Sequence, residues 1–401
     1  MRTSTRPGVR WMPYADAVSP WSNVASRASS ALAALAAWSL GAALTVALVG
    51  CAGRSGGAGS GAASPAPASR SSRDASPAAL ATSPVTSTRE WTWRGVNGIQ
   101  VDTHHWTIRS SLRSASFTGS LPAFYEAALR NYRTGLVPLP APPKRLETCV
   151  FGTRDEWARY TEHRLGADAG PYLGMGRGGF TSGGEAVLYD IGPRDTLSIA
   201  AHEGWHQYSQ TTFRSALPVW LEEGIACFME GFRQPLGSPE PVFLPWRNTE
   251  RYAELRSSAR KGRLSELRAV LEGSPQSFLA VSRDAQLSYY AQVWAFVHFL
   301  RDGDGGRYRP GLERMLDDAV RGTIGDRIRA CDALDARGKR LAAGAKSGIW
   351  LVTVYLDPDF DSFERAYDRF VGALLESNGW DRILRGECPI DLPAPAPEGA
   401  P

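Results

Sequence analysis

The chain has 401 residues, of which 43% are hydrophobic, 21% charged and 10% aromatic, and its formal net charge is +4 at neutral pH. That length and apolar content suit about two to three domains with a sizeable core, and they exclude a collagen, a coiled coil and a wholly disordered chain. The basic excess is local: residues 1–50 hold four Arg and one Asp, residues 51–88 three Arg and one Asp, and residues 89–401 carry 38 basic and 39 acidic side chains. Nothing in that balance calls for a nucleic-acid partner.

The N-terminus reads as an address. Residues 31–49 (ALAALAAWSLGAALTVALV) form an uncharged apolar run behind Arg2, Arg6, Arg10 and Arg27. Such a run is a long signal-peptide core behind a positive flank, or an uncleaved membrane anchor. At its end stands Leu48-Val49-Gly50-Cys51, which resembles the lipobox of bacterial lipoprotein signal peptides. That resemblance implies removal of 1–50 and acylation of Cys51, with the acyl chains holding the protein to a membrane. On either reading the remainder is extracytoplasmic, with inner and outer membrane undistinguished. Residues 51–88, made almost wholly of Gly, Ala, Ser, Pro, Thr and Arg, read as a flexible tether, and 392–401 as a disordered Pro/Ala tail. The folded part is then 89–391.

Strand character marks Gly98–Ile108 and Arg145–Phe151, and helical spacing marks Leu121–Tyr132. A helix over Asp155–His163 has Thr153 as its N-cap. The Gly-rich stretch Gly166–Gly184 precedes a short strand at Ala186–Tyr189. Within it Gly174-Met175-Gly176-Arg177-Gly178-Gly179 fits G-x-G-x-x-G, but no helix opens at its end, so it reads as a loop and not as a nucleotide site. Helices dominate from Pro193 onward, including Pro218–Glu230, a broken stretch over Tyr252–Leu271, and Leu287–Arg301. Trp350–Asp357 reads as a late strand or a buried helical segment. Four cysteines come after Cys51. Cys149 and Cys227 read as buried small hydrophobes, and Cys331–Cys388 is the preferred disulfide in an oxidising compartment.

The chemistry lies in two neighbouring helices. Residues 201–208 contain His202-Glu203-Gly204-Trp205-His206, the pattern H-E-x-x-H. Histidines at i and i+4 project from one helical face and can share a tetrahedral zinc, while Glu203 reaches a water on the metal instead of the metal itself. A catalytic zinc needs a third protein ligand and one open position. The candidates lie in Trp220-Leu221-Glu222-Glu223-Gly224-Ile225-Ala226. Glu222 and Glu223 point about 100° apart, so one of the two faces the metal.

His202-Glu203-x-x-His206 followed by Trp220-Leu221-x-Glu223-Gly224-x-Ala226 resembles the gluzincin metallopeptidases. The likeness is closest to bacterial peptidase-MA-like extracytoplasmic proteins, and the second segment is similar to W-L-x-E-G-x-A of zinc aminopeptidases. It covers roughly 98–301. In those families the Glu before Gly is the third ligand, which implies a Zn2+ site of His202, His206 and Glu223. The resemblance also implies an α+β, thermolysin-like core. A small mixed β-sheet lobe with helices leads into a mainly helical lobe, with zinc in the cleft between. The catalytic domain spans 89–301 and a helical extension 302–391. No segment like the aminopeptidase G-x-M-E-N is present, so recognition of a free peptide N-terminus is not implied. A Tyr in a Y-A-Q segment serves the peptidase-MA-like proteins as electrophile. Ser288-Tyr289-Tyr290-Ala291-Gln292 matches it, which makes Tyr290 the candidate.

The activity so implied is hydrolysis of a peptide bond by zinc-activated water, with Glu203 as general base and Tyr290 donating to the oxyanion. The substrate is a peptide or protein, and the Gly-rich segment before Ala186–Tyr189 is the candidate edge strand to pair with it. Two other readings remain open: a non-catalytic metal-binding envelope lipoprotein, and a zinc hydrolase of a non-peptide envelope amide. Several nearby residues have plainer readings. His298 reads as a core histidine, His163 as a surface residue, and His104 and His105 as neighbours on opposite faces of a strand. Glu230 is either a hydrogen-bond partner for a ligand histidine or an exposed acid at a helix end, the second being favoured.

Overall fold

In the computed structural model, residues 83–174, 178–236, 238, 240–344 and 348–392 are described. The apolar run 31–49, Cys51, most of the tether and residues 393–401 lie outside them. Among the described residues no helix is long and apolar enough to cross a membrane.

Strand β1 (Val85–Trp93) and β2 (Val96–Thr103) form an antiparallel hairpin. Its turn residues Arg94 and Gly95 both have positive φ, 43° and 82°, as a two-residue hairpin with right-handed strand twist requires. β1 begins inside the segment whose composition reads as tether. Its side chains are mostly polar and exposed, and the backbone ladder to β2 is reinforced where Thr86 and Ser87 donate to Asp102. β2 turns back into β3 (Trp106–Ser110) through His104 and His105, which occupy the bend and not a strand. His105 Nδ1 is fixed there by the Glu126 carboxylate at 2.8 Å.

Helix α1 (Ala115–Thr134), capped by Ser114, crosses over to β4 (Leu146–Phe151), which runs parallel to β3. Helix α2 (Arg154–Leu165), capped by Thr153, crosses to β6 (Glu185–Tyr189), parallel to β4. A 3-10 turn (Gly166–Ala169) and a single helical turn, α3 (Gly170–Leu173), lead into β5 (Gly179–Ser182). β5 pairs antiparallel with β6 across Gly183 and Gly184, φ 61° and 80°. The sheet order is β1-β2-β3-β4-β6-β5, so β5 ends the sheet. The Gly-rich segment before Ala186–Tyr189 thus supplies the edge strand expected of it, β5, which opens at Gly179, the last glycine of the G-x-G-x-x-G stretch read as a loop.

Alternation along β4 shows how the sheet is covered. Leu146 and Val150 face the cluster that holds α1 and α4 (Pro193–Thr212), whereas Cys149 and Phe151 face α2 through Trp157. Helix α5 (Val219–Met229) follows Pro218, and a two-stranded ladder of β7 (Phe232–Arg233) and β8 (Val242–Phe243) returns the chain to α6 (Thr249–Arg260). Short helices α7 (Leu267–Glu272) and α8 (Pro275–Leu279) precede α9 (Arg283–Asp302), whose residues from Ser288 to Leu300 are all buried. Helices α10 (Arg309–Arg321), α11 (Ile324–Ala330), α12 (Ala336–Ala342), α13 (Gly348–Tyr355), α14 (Phe360–Glu376) and α15 (Trp380–Arg385) complete the fold. The apolar run at Trp350 thus belongs to a helix. Phe299 of α9 meets Tyr308, Phe363, Tyr367 and Phe370. One hydrophobic cluster runs from Trp106 to Ile383, so residues after 301 share the core. The architecture is mixed α+β, with a six-stranded mixed sheet and many helices. Cys149, Cys227, Cys331 and Cys388 are all free thiols, so the expected Cys331–Cys388 bridge is not formed.

Two glycines fix how closely the site helices pack. A Cβ on Gly204 of α4 would meet Tyr132 Oη at 2.4 Å, and one on Gly224 of α5 would meet Val297 Cγ2 at 2.7 Å and Val293 O at 2.8 Å. The second crossing brings α5 against backbone of α9, where nothing can yield cheaply. Gly224→Ala is therefore expected to cost about 1–3 kcal/mol as overpacking. It should read as a lower urea midpoint at unchanged slope.

Candidate metal centre

Helix α4 presents His202 and His206 one turn apart, with ring centroids 5.0 Å from each other. Helix α5 lays Glu223 against both: its Oε2 is 3.5 Å from His202 Nε2 and 3.7 Å from His206 Nε2. Exposure is 1% for His202, 5% for His206, 1% for Glu223 and 0% for Glu203. The same turn of α5 sends Glu222 outward to His206 Nδ1, 2.9 Å away, where Ser209 also bonds it. Of the two adjacent glutamates, Glu223 faces the shared side of the imidazoles and Glu222 the far side of one.

The outer nitrogen of His202 is held as firmly. Its Nδ1 lies 2.8 Å from Glu230 Oε1. Glu230 is 8% exposed, which corrects the favoured reading of it as an exposed helix-end acid. Asn248 and Arg251, at the start of α6, donate to the same carboxylate at 2.7 Å and 2.6–3.0 Å. Both ring nitrogens that point away from the cluster thus bond a carboxylate. That arrangement leaves Nε2 of each ring for a ligand and fixes the ring orientation.

The atoms facing inward have no such partners. His202 Nε2, His206 Nε2, both oxygens of Glu223 and Oε1 of Glu203 are buried without a hydrogen bond. Four of these orphaned atoms belong to one trio whose ligand atoms lie within 4.8 Å of one another, and leaving them unpaired would cost several kcal/mol if nothing bound there. Two ligand atoms about 2.1 Å from one tetrahedral ion lie about 3.4 Å apart, close to the observed 3.5 and 3.7 Å. Those distances are too long for an N–H···O bond. The residues fit a metal ion held by two nitrogens and one oxygen.

A second trio, His202, Cys227 and Glu230, also brings its ligand atoms within 4.8 Å of one another, as does the trio of His202, His206 and Glu223. The two differ in what already fills them. Glu230 is saturated by Arg251, Asn248 and His202, and the guanidinium is the resident cation there. The Nε2 side is the one left open to a metal ion, and Cys227 is a buried thiol of the helix interface.

Glu203 is held by Thr181 of β5, whose hydroxyl lies 2.9 Å from Oε2 and 3.0 Å from the backbone carbonyl of the same residue. Burial pushes the Glu203 carboxyl up to about 7, against the pull of His202 and His206. Burial likewise opposes charge on His206, but Glu223 and Glu222 outweigh it and lift that imidazole to about 9. His202 is raised well above its usual range, where burial loses to the Cys227 thiol and the Glu223 and Glu230 carboxylates. Burial alone would raise Glu223; the two imidazoles hold it below the usual carboxylate range. Glu230 falls to about 2, because Arg251 and His202 overcome its burial.

Tyr290 on α9 stands beside the cluster, its ring 6.2 Å from the His202 ring at 73° and under the Arg251 guanidinium. Tyr289 is also fully buried, stacks on Phe278, and its hydroxyl has no partner. His298, by contrast, is a core residue. It stacks on Trp246 at 3.5 Å, and burial keeps it neutral. His163 is exposed at the surface beside Trp93. Thr181, Asn248 and Arg251 carry no signal in the sequence, since each meets the site only through the tertiary fold.

No curated protein and no solved structure matches the chain. Residues 196–308 match the model of a family described as a protein of unknown function (DUF1570), a segment that contains His202, Glu203, His206, Glu222, Glu223, Glu230, Arg251 and Tyr290.

Proposed function

We propose that this chain is a zinc-dependent metallopeptidase with a thermolysin-like catalytic core, held at the extracytoplasmic face of a membrane through Cys51. The observation that carries the catalytic reading is the convergence of unpartnered buried atoms. His202, His206 and Glu223, which form one metal-ligand trio, supply four of them, and Oε1 of Glu203 joins them. His202, His206 and Glu223 would hold the ion. Zinc bound there would polarise a carbonyl oxygen and acidify water.

The chain's own groups do the rest. Glu203 takes the proton of the attacking water at Oε1, while Thr181 retains Oε2, and Glu203 then passes that proton to the leaving amine. Tyr290 donates a hydrogen bond to the oxygen where negative charge develops. Glu222 and Glu230 keep the two imidazoles in the tautomer that offers Nε2. Strand β5 ends the sheet and carries Thr181, so an extended peptide that pairs with it runs past Glu203.

The test is hydrolysis of a mixed peptide library by the full chain. Cleavage is expected with zinc present, lost on chelation, and restored by added zinc. A metal-loaded chain that leaves every peptide intact overturns the peptidase reading. Cleavage of an envelope amide by that same chain would favour the non-peptide hydrolase.

A further inference from the structure

Arg251 is a buried cation beside the site that the proposed chemistry does not use. Its exposure is 2%. It opens α6, whose N-cap Asn248 accepts the Arg251 backbone N–H. Its Nη2 lies 2.6 Å from Glu230 Oε1 and its Nε 3.0 Å from Oε2, a two-pronged grip on one carboxylate. Oε1 is also the atom that bonds His202 Nδ1. The guanidinium carbon lies over the Tyr290 ring, 5.0 Å from its centre. One side chain therefore touches the carboxylate behind a candidate ligand and the ring of the candidate oxyanion donor.

We infer that Arg251 is a positioning residue that sets the aim of His202 through Glu230 and holds the Tyr290 ring by a cation–π contact, so that one residue controls both metal affinity and oxyanion donation. The inference rests on the metal-site reading. Its physical basis is the shape of the guanidinium. A planar fork grips both carboxylate oxygens and stacks on an aromatic face at once, which an ammonium does not. Asn248 adds a second hold on Oε2, and the N-terminal end of α6 favours an anion at that place. Glu230 is thus locked before any ligand arrives, and the entropy of orienting His202 is not charged to metal binding.

The discriminating variant is Arg251→Lys in the full chain, because it keeps a cation in the pocket and removes the fork and the stacking plane. Zinc affinity is read by competition with a chromophoric chelator, geometry by visible absorption of the cobalt-substituted protein, and folding by circular dichroism. We expect R251K to stay folded, to lose about 10–100-fold in zinc affinity, and to show a shifted cobalt spectrum. Glu230→Gln reads the relay from its other end, with the same expected loss. The double variant should lose less than the two single losses multiplied, because both break one connection. A folded R251K that binds zinc within about twofold of the parent and keeps its cobalt spectrum overturns the inference; should R251K not fold, the zinc affinity of E230Q decides between the same two outcomes. A parent chain that takes up no zinc overturns the metal-site reading itself. A parent that loads normally beside an unaltered R251K removes the role of Arg251 alone.

Discussion

Glu223→Ala is expected to abolish zinc retention through dialysis, taking the content from about one ion per chain to near none, and His202→Ala should do the same. The magnitude comes from the ligand count. If three protein ligands share roughly 10–16 kcal/mol of apparent binding free energy, losing one removes about a third of it. That is a weakening on the order of a thousandfold. The neighbouring Glu222→Ala is the control that gives the prediction its edge. Glu222 reaches the outer Nδ1 of His206 and not the shared Nε2 side, and its Oε1 also accepts from the Ser209 hydroxyl. Its loss should weaken zinc by about 10–100-fold and leave a site that still loads at saturating metal. Equal losses from both substitutions would mean that the α5 turn is set differently from the one described. Metal analysis of the three variants beside the parent decides it.

The contrast between Glu222 and Glu223 also marks how far the sequence reaches. Spacing alone places His202 and His206 on one helical face and requires that only one of the two glutamates join them. It does not choose which, since that depends on the angle at which α5 crosses α4. Gly204 lets α4 approach Tyr132 of α1, and Gly224 lets α5 approach the α9 backbone, so the placing of both helices depends on neighbours far along the chain. Glu230 is the plainest miss. Seven residues after Glu223 it shares a helical face, yet an acid at a helix end is ordinarily solvated. What buries it is Arg251 and Asn248 on the following helix, beyond the reach of any local pattern. The strands show the same limit. β4 alternates and is legible, whereas β1 is polar and starts in tether-like composition. It is a strand because β2 pairs with it. Tertiary context overrides propensity there. The disulfide expectation failed for a related reason: an even cysteine count permits bridges but does not bring two thiols together.

Glu203→Gln is expected to lower peptide hydrolysis by about 10²–10⁴-fold while zinc content stays at the parental level. Glutamine matches glutamate in shape and still offers an oxygen to the Thr181 hydroxyl, so the side chain keeps its place on α4. What it lacks is a basic oxygen. Oε1 of Glu203 is buried and unpartnered, beside the ligand atoms and not among them, so amidation removes proton transfer without removing a ligand. This pairing of outcomes separates the catalytic reading from that of a metal-binding scaffold. In a scaffold, the substitution would leave zinc content and function alike. If hydrolysis survived within about tenfold of the parent, Glu203 would not be the base, and the proton would have to leave by another group. Thr181→Val, measured alongside, tests how much of the effect is aim. The hydroxyl is lost while the carboxylate remains, so turnover should fall by less than in Glu203→Gln. A T181V chain as inactive as E203Q would show that the carboxylate works only when β5 holds it. Strand β5 would then act on the reaction through Glu203 as well as through any peptide paired with it.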